Sequence, residues 1–200
     1  MQAIKYSLRQ DNMSFSIGRT DLKQSHGSLI DTNGCMALLV TSGFATATVN
    51  FKKFPLRRGD FILSFYDNTF STERSSTLFS VRYASFAYPV IEEAICKPLS
   101  DLFWEVLYEN PGFHTSASQK DLLDAWWRQL DWMEHMEDKA FQEEMLKNSF
   151  RNLLITVNTE VMRNQPDSTH GNEQSHAWML ITRFFKLVSL HLRETPQVNF

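Results

Sequence analysis

The chain changes its hydrophobic rhythm near residue 118. Before that point, short apolar or alternating runs are separated by turn-forming residues, which is the pattern of strands. After it, apolar side chains recur every three to four positions, which is the pattern of helices. Runs at 13–17, 29–30, 36–40, 45–50, 61–65 and 78–86 predict strands. The turns between them carry Asn33-Gly34, Ser42-Gly43 and Arg58-Gly59-Asp60, residues that tolerate positive φ. Many short strands at close spacing point to a sandwich or barrel rather than a parallel α/β sheet. In the last run, alternation sets Phe79, Val81, Tyr83 and Ser85 on one face and Ser80, Arg82, Ala84 and Phe86 on the other. Neither set is uniformly apolar, so either can be the inner face.

Residues 89–109 bridge the two halves. The pattern predicts a short helix over 90–99, interrupted by Pro98, then a helix or strand over 101–108, then a turn at Asn110-Pro111-Gly112. A longer helix is predicted over 119–138, opened by Ser118 and Asp121 in a capping-box-like spacing. Its apolar face carries Leu122, Leu123, Trp126, Trp127, Leu130, Met133 and Met136. A second follows over 140–163, with Phe141, Met145, Phe150, Leu153, Leu154, Val157 and Val161. The polar stretch 164–174 reads as a loop, and 175–193 as a third helix whose stripe includes Trp178, Ile181, Phe185 and Leu192, ended by Pro196. Faces this apolar must be covered. The chain's own β half is one cover. A second copy is the other, with Leu123, Trp126, Trp127, Leu130 and Met133 as the candidate seam of a homodimer and the element that couples its halves.

Bulk properties narrow the function. Two hundred residues make one domain, or one plus an appendage. Sixteen phenylalanines suit a small barrel interior. A net charge of −3 is too mild to imply nucleic-acid or membrane binding, and neither half carries the basic stripe of a DNA-binding surface. Cys35 and Cys96 read as reduced thiols of a cytosolic protein, not as a disulfide framework. The first residues lack a secretory signal, and no apolar run reaches the roughly 18 residues a spanning helix needs. The expected location is the cytoplasm.

Catalytic chemistry finds little support. The six histidines, His26, His114, His135, His170, His176 and His191, contain no pair at metal-ligand spacing, so no metal or other cofactor is expected. There is no nucleophile elbow, phosphate-binding loop or dinucleotide fingerprint. Glu92-Glu93 and Glu143-Glu144 are sequence neighbours that do not face each other on a helix. No catalytic residue is assigned. What remains is the barrel interior, with Leu39, Thr41, Leu63, Phe65, Phe70, Thr72, Val81 and Tyr83 as candidate lining. Such a set can hold one small organic ligand or simply fill a core.

Two segments carry a family resemblance. Residues 35–43, then Val49-Asn50, then 54–63 with its Gly59-Asp60 turn, resemble the cupin-like arm of AraC-type transcriptional regulators. Residues 183–193, followed by 194–200, look like the helix leading into that family's DNA-binding domain. The resemblance implies an α+β fold: a cupin-like β-barrel, or jelly roll, with a bridging helix over 1–112, and an antiparallel helical dimerisation and linker segment over 113–200. It also implies a homodimer, a small-molecule effector, and DNA contact only through a helix-turn-helix domain that would follow Phe200. Thr72 and Tyr83 fall near the family's sugar-holding positions, but Phe70 and Ser71 stand where its His pair would be, and Val81 at another polar position. That departure implies a more apolar ligand. The rival expectations are a stand-alone, metal-dependent cupin enzyme and a ligand-free interaction module.

Overall fold

The computed structural model describes residues 5–66, 68–95 and 99–163. The first half is built from strands β1 (Lys5–Ser7), β2 (Phe15–Thr20), β3 (Leu29–Asp31), β4 (Gly34–Ser42), β5 (Phe44–Val49), β6 (Lys52–Arg57), β7 (Asp60–Phe65), β8 (Phe70–Ser75) and β9 (Ser80–Ala87). Then come helices α1 (Tyr88–Ala94) and α2 (Asp101–Glu109), a short strand β10 (Gly112–His114), and helices α3 (Ala117–Glu134) and α4 (Lys139–Arg163). The strands form two five-stranded sheets, in the orders β1-β3-β8-β5-β6 and β10-β7-β4-β9-β2. All pairings are antiparallel except β1 with β3. The expected α+β class is the one observed. The expected third helix over 175–193, Cys96, and His170, His176 and His191 lie outside the described residues.

Alternation along β4 sorts the molecule into layers. Met36, Leu38 and Val40 pack with Ala47 of β5, Leu56 of β6 and Phe70 of β8, filling the space between the sheets. Cys35, Ala37 and Leu39 point the other way, into a second core shared with the helices. The order is therefore sheet, sheet, helical layer. β9 follows the same rule. Val81 faces the other sheet with Tyr83 half-buried beside it, and Ala84 and Phe86 face the helices. The set containing Phe79, Val81, Tyr83 and Ser85 is the inner one.

Arg82 is the charged exception on the helix-facing side, and α3 supplies its partners. Its guanidinium donates to Asp131 at 2.7 Å, lies 3.7 Å from Asp124, and sits 5.6 Å from the centre of the Trp127 ring. The Trp127 indole donates to the Tyr83 carbonyl at 3.3 Å. One arginine and one tryptophan thus hold α3 on β9, and the arginine's partly desolvated charge stays paired.

Several elements depart from expectation for local reasons. β6 carries Pro55 and two lysines, and it is an edge strand, where a missing N–H costs no ladder bond. β8 alternates in burial only in its first half, where Phe70 and Thr72 are buried, and the adjacent Glu73 and Arg74 are both exposed. The cap of α3 sits two residues earlier than expected. Ser116 Oγ accepts from the Gln119 N–H at 3.3 Å, and Gln119 Oε1 accepts from the Ser116 N–H at 2.8 Å, a reciprocal capping box in place of Ser118 with Asp121. α4 is held to α1 by Arg151 donating to the Glu93 carbonyl at 2.8 Å, and to α2 by Ser100 Oγ donating to Asn158 Oδ1 at 3.0 Å.

Candidate functional site

The expected lining residues do not share one space. Phe70, Thr72 and Val81 are fully buried between the sheets, with Tyr83 half-buried beside them. Thr72 is committed there, its hydroxyl 3.0 Å from Ser25 Oγ. The Tyr83 hydroxyl lies 3.4 Å from Ser16 Oγ. Leu39, Leu63 and Phe65 belong to the core on the other side of the second sheet, facing the helices. Thr41 sits at a bulge at the end of β4 and donates to the Ser80 carbonyl at 3.0 Å. The second sheet itself therefore separates Leu63 and Phe65 from Phe70 and Val81. β7 is buried on both faces from Phe61 to Phe65, so its sequence carries no alternation to show which way each residue points.

The candidate dimer seam is also placed within one chain. Trp127, Leu130 and Met133 are fully buried, and Leu123 and Trp126 nearly so, in the core that α3 shares with α4 and the second sheet. Phe61 meets Trp127 edge-on at 6.2 Å, and Trp126 packs against Phe86 at 6.0 Å. The chain itself covers this stripe.

A cavity of about 530 Å³ opens on the helical side, within the size range of small-molecule sites. Five elements build it. The floor is Phe61 of β7 and Phe113 of β10, with Val106 of α2 at one end. α3 contributes Gln119, Leu122, Leu123 and Trp126, spaced to fall on one helical face. α4 contributes two parallel columns. Leu153, Val157 and Val161 form an apolar one, and Asn152, Thr156 and Glu160 a polar one beside it. Exposed side chains, Leu122, Asn152 and Thr156 among them, frame the mouth.

The polar groups are largely committed. Gln119 Nε2 donates to Glu160 Oε2 at 2.7 Å, joining α3 to α4 across the cavity wall, and Arg163 Nη1 donates to Glu160 Oε1 at 3.1 Å. Thr115 Oγ1 donates to the Gly59 carbonyl at 2.7 Å, and Thr156 Oγ1 to the Asn152 carbonyl at 2.8 Å. His114 Nδ1 lies 2.7 Å from Asp60 Oδ1. That pair has the form of a base and its orienter, but the neighbouring threonine gives its proton to a carbonyl and is no activated nucleophile. Among the described residues, no group of three or more His, Cys, Asp or Glu is placed to hold a metal ion. The arrangement can bind and orient an apolar molecule.

Sequence reasoning named Leu153, Val157 and Val161 as a helix stripe and did not see the polar column beside them. The signal was present. Asn152, Thr156 and Glu160 recur every four residues next to that stripe, which marks the edge of an apolar face. Phe113 and Gln119 gave no such signal.

The class defined so far is an α+β domain in which a two-sheet barrel backs a helical layer, with an apolar ligand-sized pocket between them. No protein-family model matches the chain, and no curated protein matches it. The resemblance expected from the sequence reappears among solved structures. Apo ToxT from Vibrio cholerae, in a single-substitution variant, is similar over 96% of this chain and 69% of its own, with a TM-score of 0.48 and 13% identity. Wild-type ToxT bound to an unsaturated fatty acid matches over 76% of this chain and 57% of its own, at TM-score 0.44 and 14% identity. CuxR, an AraC-like transcriptional activator, matches over 76% and 49%, at TM-score 0.44 and 14% identity. The chain spans between 49% and 69% of the length of these proteins.

Proposed function

We propose that this chain is the effector-sensing half of an AraC-type transcriptional regulator, and that the pocket between the second sheet and helices α3 and α4 holds the effector. The position of that pocket carries the reading. Its walls include Phe61 and Phe113 of the sheet as well as Val157, Glu160 and Val161 in the last turns of α4. An occupant would touch the barrel and the helix that leads out of it at once. A ligand there shifts the outgoing segment only by its difference in affinity for two arrangements of sheet and helix. The partners are a small-molecule effector, a second copy of the chain, and DNA through a domain following Phe200. The setting is the cytoplasm, and no reaction is catalysed. No helix among the described residues is long and apolar enough to cross a membrane.

Pairing of two copies belongs to the same reading, with its surface moved. Leu123, Trp126, Trp127, Leu130 and Met133 are covered within the chain, whereas Trp132 is 58% exposed and Phe141 66% exposed at the joined ends of α3 and α4. Native mass spectrometry of the gene product from its own cell tests both parts. The expected result is two copies of a chain longer than this one by about 100 residues, the size of a small domain, with a basic helix-turn-helix segment in the added part. A single copy of a chain ending at Phe200 would overturn the regulator reading and promote the interaction module.

A further inference from the structure

The chemistry of the pocket wall selects among apolar ligands. Among the described residues, no lysine or arginine lines the cavity, and the one carboxylate in its wall is Glu160. Arg163 pairs with Glu160 but is itself 70% exposed, and an ion pair in that setting neutralises little. A carboxylate has four lone-pair positions, and the Gln119 and Arg163 bonds use two of those on Glu160. Thr115 and Thr156 give their protons to backbone carbonyls, so each turns only lone pairs outward. His114 Nδ1 is engaged by Asp60 Oδ1 at 2.7 Å, which leaves Nε2 as the ring nitrogen for a ligand. The donors in the wall are the amides of Gln119 and Asn152, with one N–H of Gln119 already used, and the indole N–H of Trp126, which is buried without a partner. The inventory is rich in acceptors and poor in cations. The apolar part is partly aromatic, from Phe61, Phe113 and Trp126.

We propose that the pocket takes an aromatic or otherwise apolar body bearing a primary amine or equivalent hydrogen-bond donor, and that it discriminates against the matching carboxylate. This rests on the pocket being the effector site. The ammonium would donate to Glu160 and the threonine oxygens at the mouth, while the ring occupies the space between Phe61, Phe113 and Val157. A carboxylate in the same pose would meet Glu160 with only the exposed Arg163 to offset it, and like charges at close range repel.

The test is calorimetric titration of the 200-residue chain with phenylbutylamine, phenylbutanol and phenylbutyrate. The amine should bind roughly tenfold tighter than the carboxylate, the size of one charge-assisted hydrogen bond, with the alcohol between them. Glu160→Gln should close the gap between amine and carboxylate. Val157→Trp fills the cavity and should abolish binding of all three. Should Val157→Trp fail to fold, the order of the three probes and the Glu160→Gln comparison still decide. A carboxylate binding as tightly as the amine, or tighter, overturns the ligand class while the pocket stands. If none of the probes binds, or if all bind folded Val157→Trp unchanged, the pocket is not the site and both readings fall together.

Discussion

Leu130→Asp should leave the chain unable to fold. The side chain has no exposed surface and sits in the core shared by α3, α4 and the second sheet. An aspartate there either stays ionised without water or a partner, or opens the layer to hydrate itself. The cost is several kcal/mol, against a total stability for an ordinary domain of about 5–15 kcal/mol. Far-ultraviolet circular dichroism in a urea series should show no cooperative transition, or one displaced to very low denaturant. A different outcome belongs to the seam reading, in which Leu130 meets a second copy and the variant is a folded monomer. A well-folded Leu130→Asp protein of halved apparent mass would show that α3 leaves its own sheet in solution.

Gly34→Ala is the second large effect, and it acts through backbone geometry. Gly34 opens β4 opposite Ala87, at the corner where β9 turns into α1, with φ at 140°. A Cβ there would overlap the Phe86 carbonyl oxygen and lie 2.9 Å from the Tyr88 nitrogen. Both obstacles are backbone, so neither can rotate away. Strain and overlap together should cost about 3 kcal/mol or more. For a domain of this size that lowers Tm by roughly 6–12 °C. Differential scanning calorimetry reads the shift directly. A Tm within a degree or two of the parent would mean that β4 and β9 do not close on each other at this end.

Gly34 also shows what the sequence could and could not say. Asn33-Gly34 reads as a turn pair, and a glycine is indeed required, but the requirement comes from β9, which approaches from more than fifty residues away. The long helices α3 and α4 were legible because a period of 3.6 is a local property, whereas α1 and α2 already stand before residue 118. The stripe through Trp126, Trp127 and Leu130 was legible for the same reason. Its cover was not, because a helix face needs apolar contact and is indifferent to whether its own chain or a copy supplies it. Arg82 was opaque in a related way. It stands on a buried face only because Asp124, Asp131 and the Trp127 ring meet it there, and those partners lie on another element. The candidate lining failed at β7, where every residue from Phe61 to Phe65 is buried and the two faces cannot be told apart from composition. The pocket itself joins five elements, so no single segment announces it. Its one local mark is the column Asn152, Thr156, Glu160 running beside an apolar one.

The proposed effector site lies between the helices and the second sheet, not between the two sheets. Nuclear magnetic resonance of the isotope-labelled chain, titrated with phenylbutanol, tests it most directly. Perturbed resonances should cluster on the pocket walls, at Phe113, Gln119, Val157 and the indole N–H of Trp126. Perturbations confined to Thr72, Tyr83 and Ser85, or none at all, would contradict it.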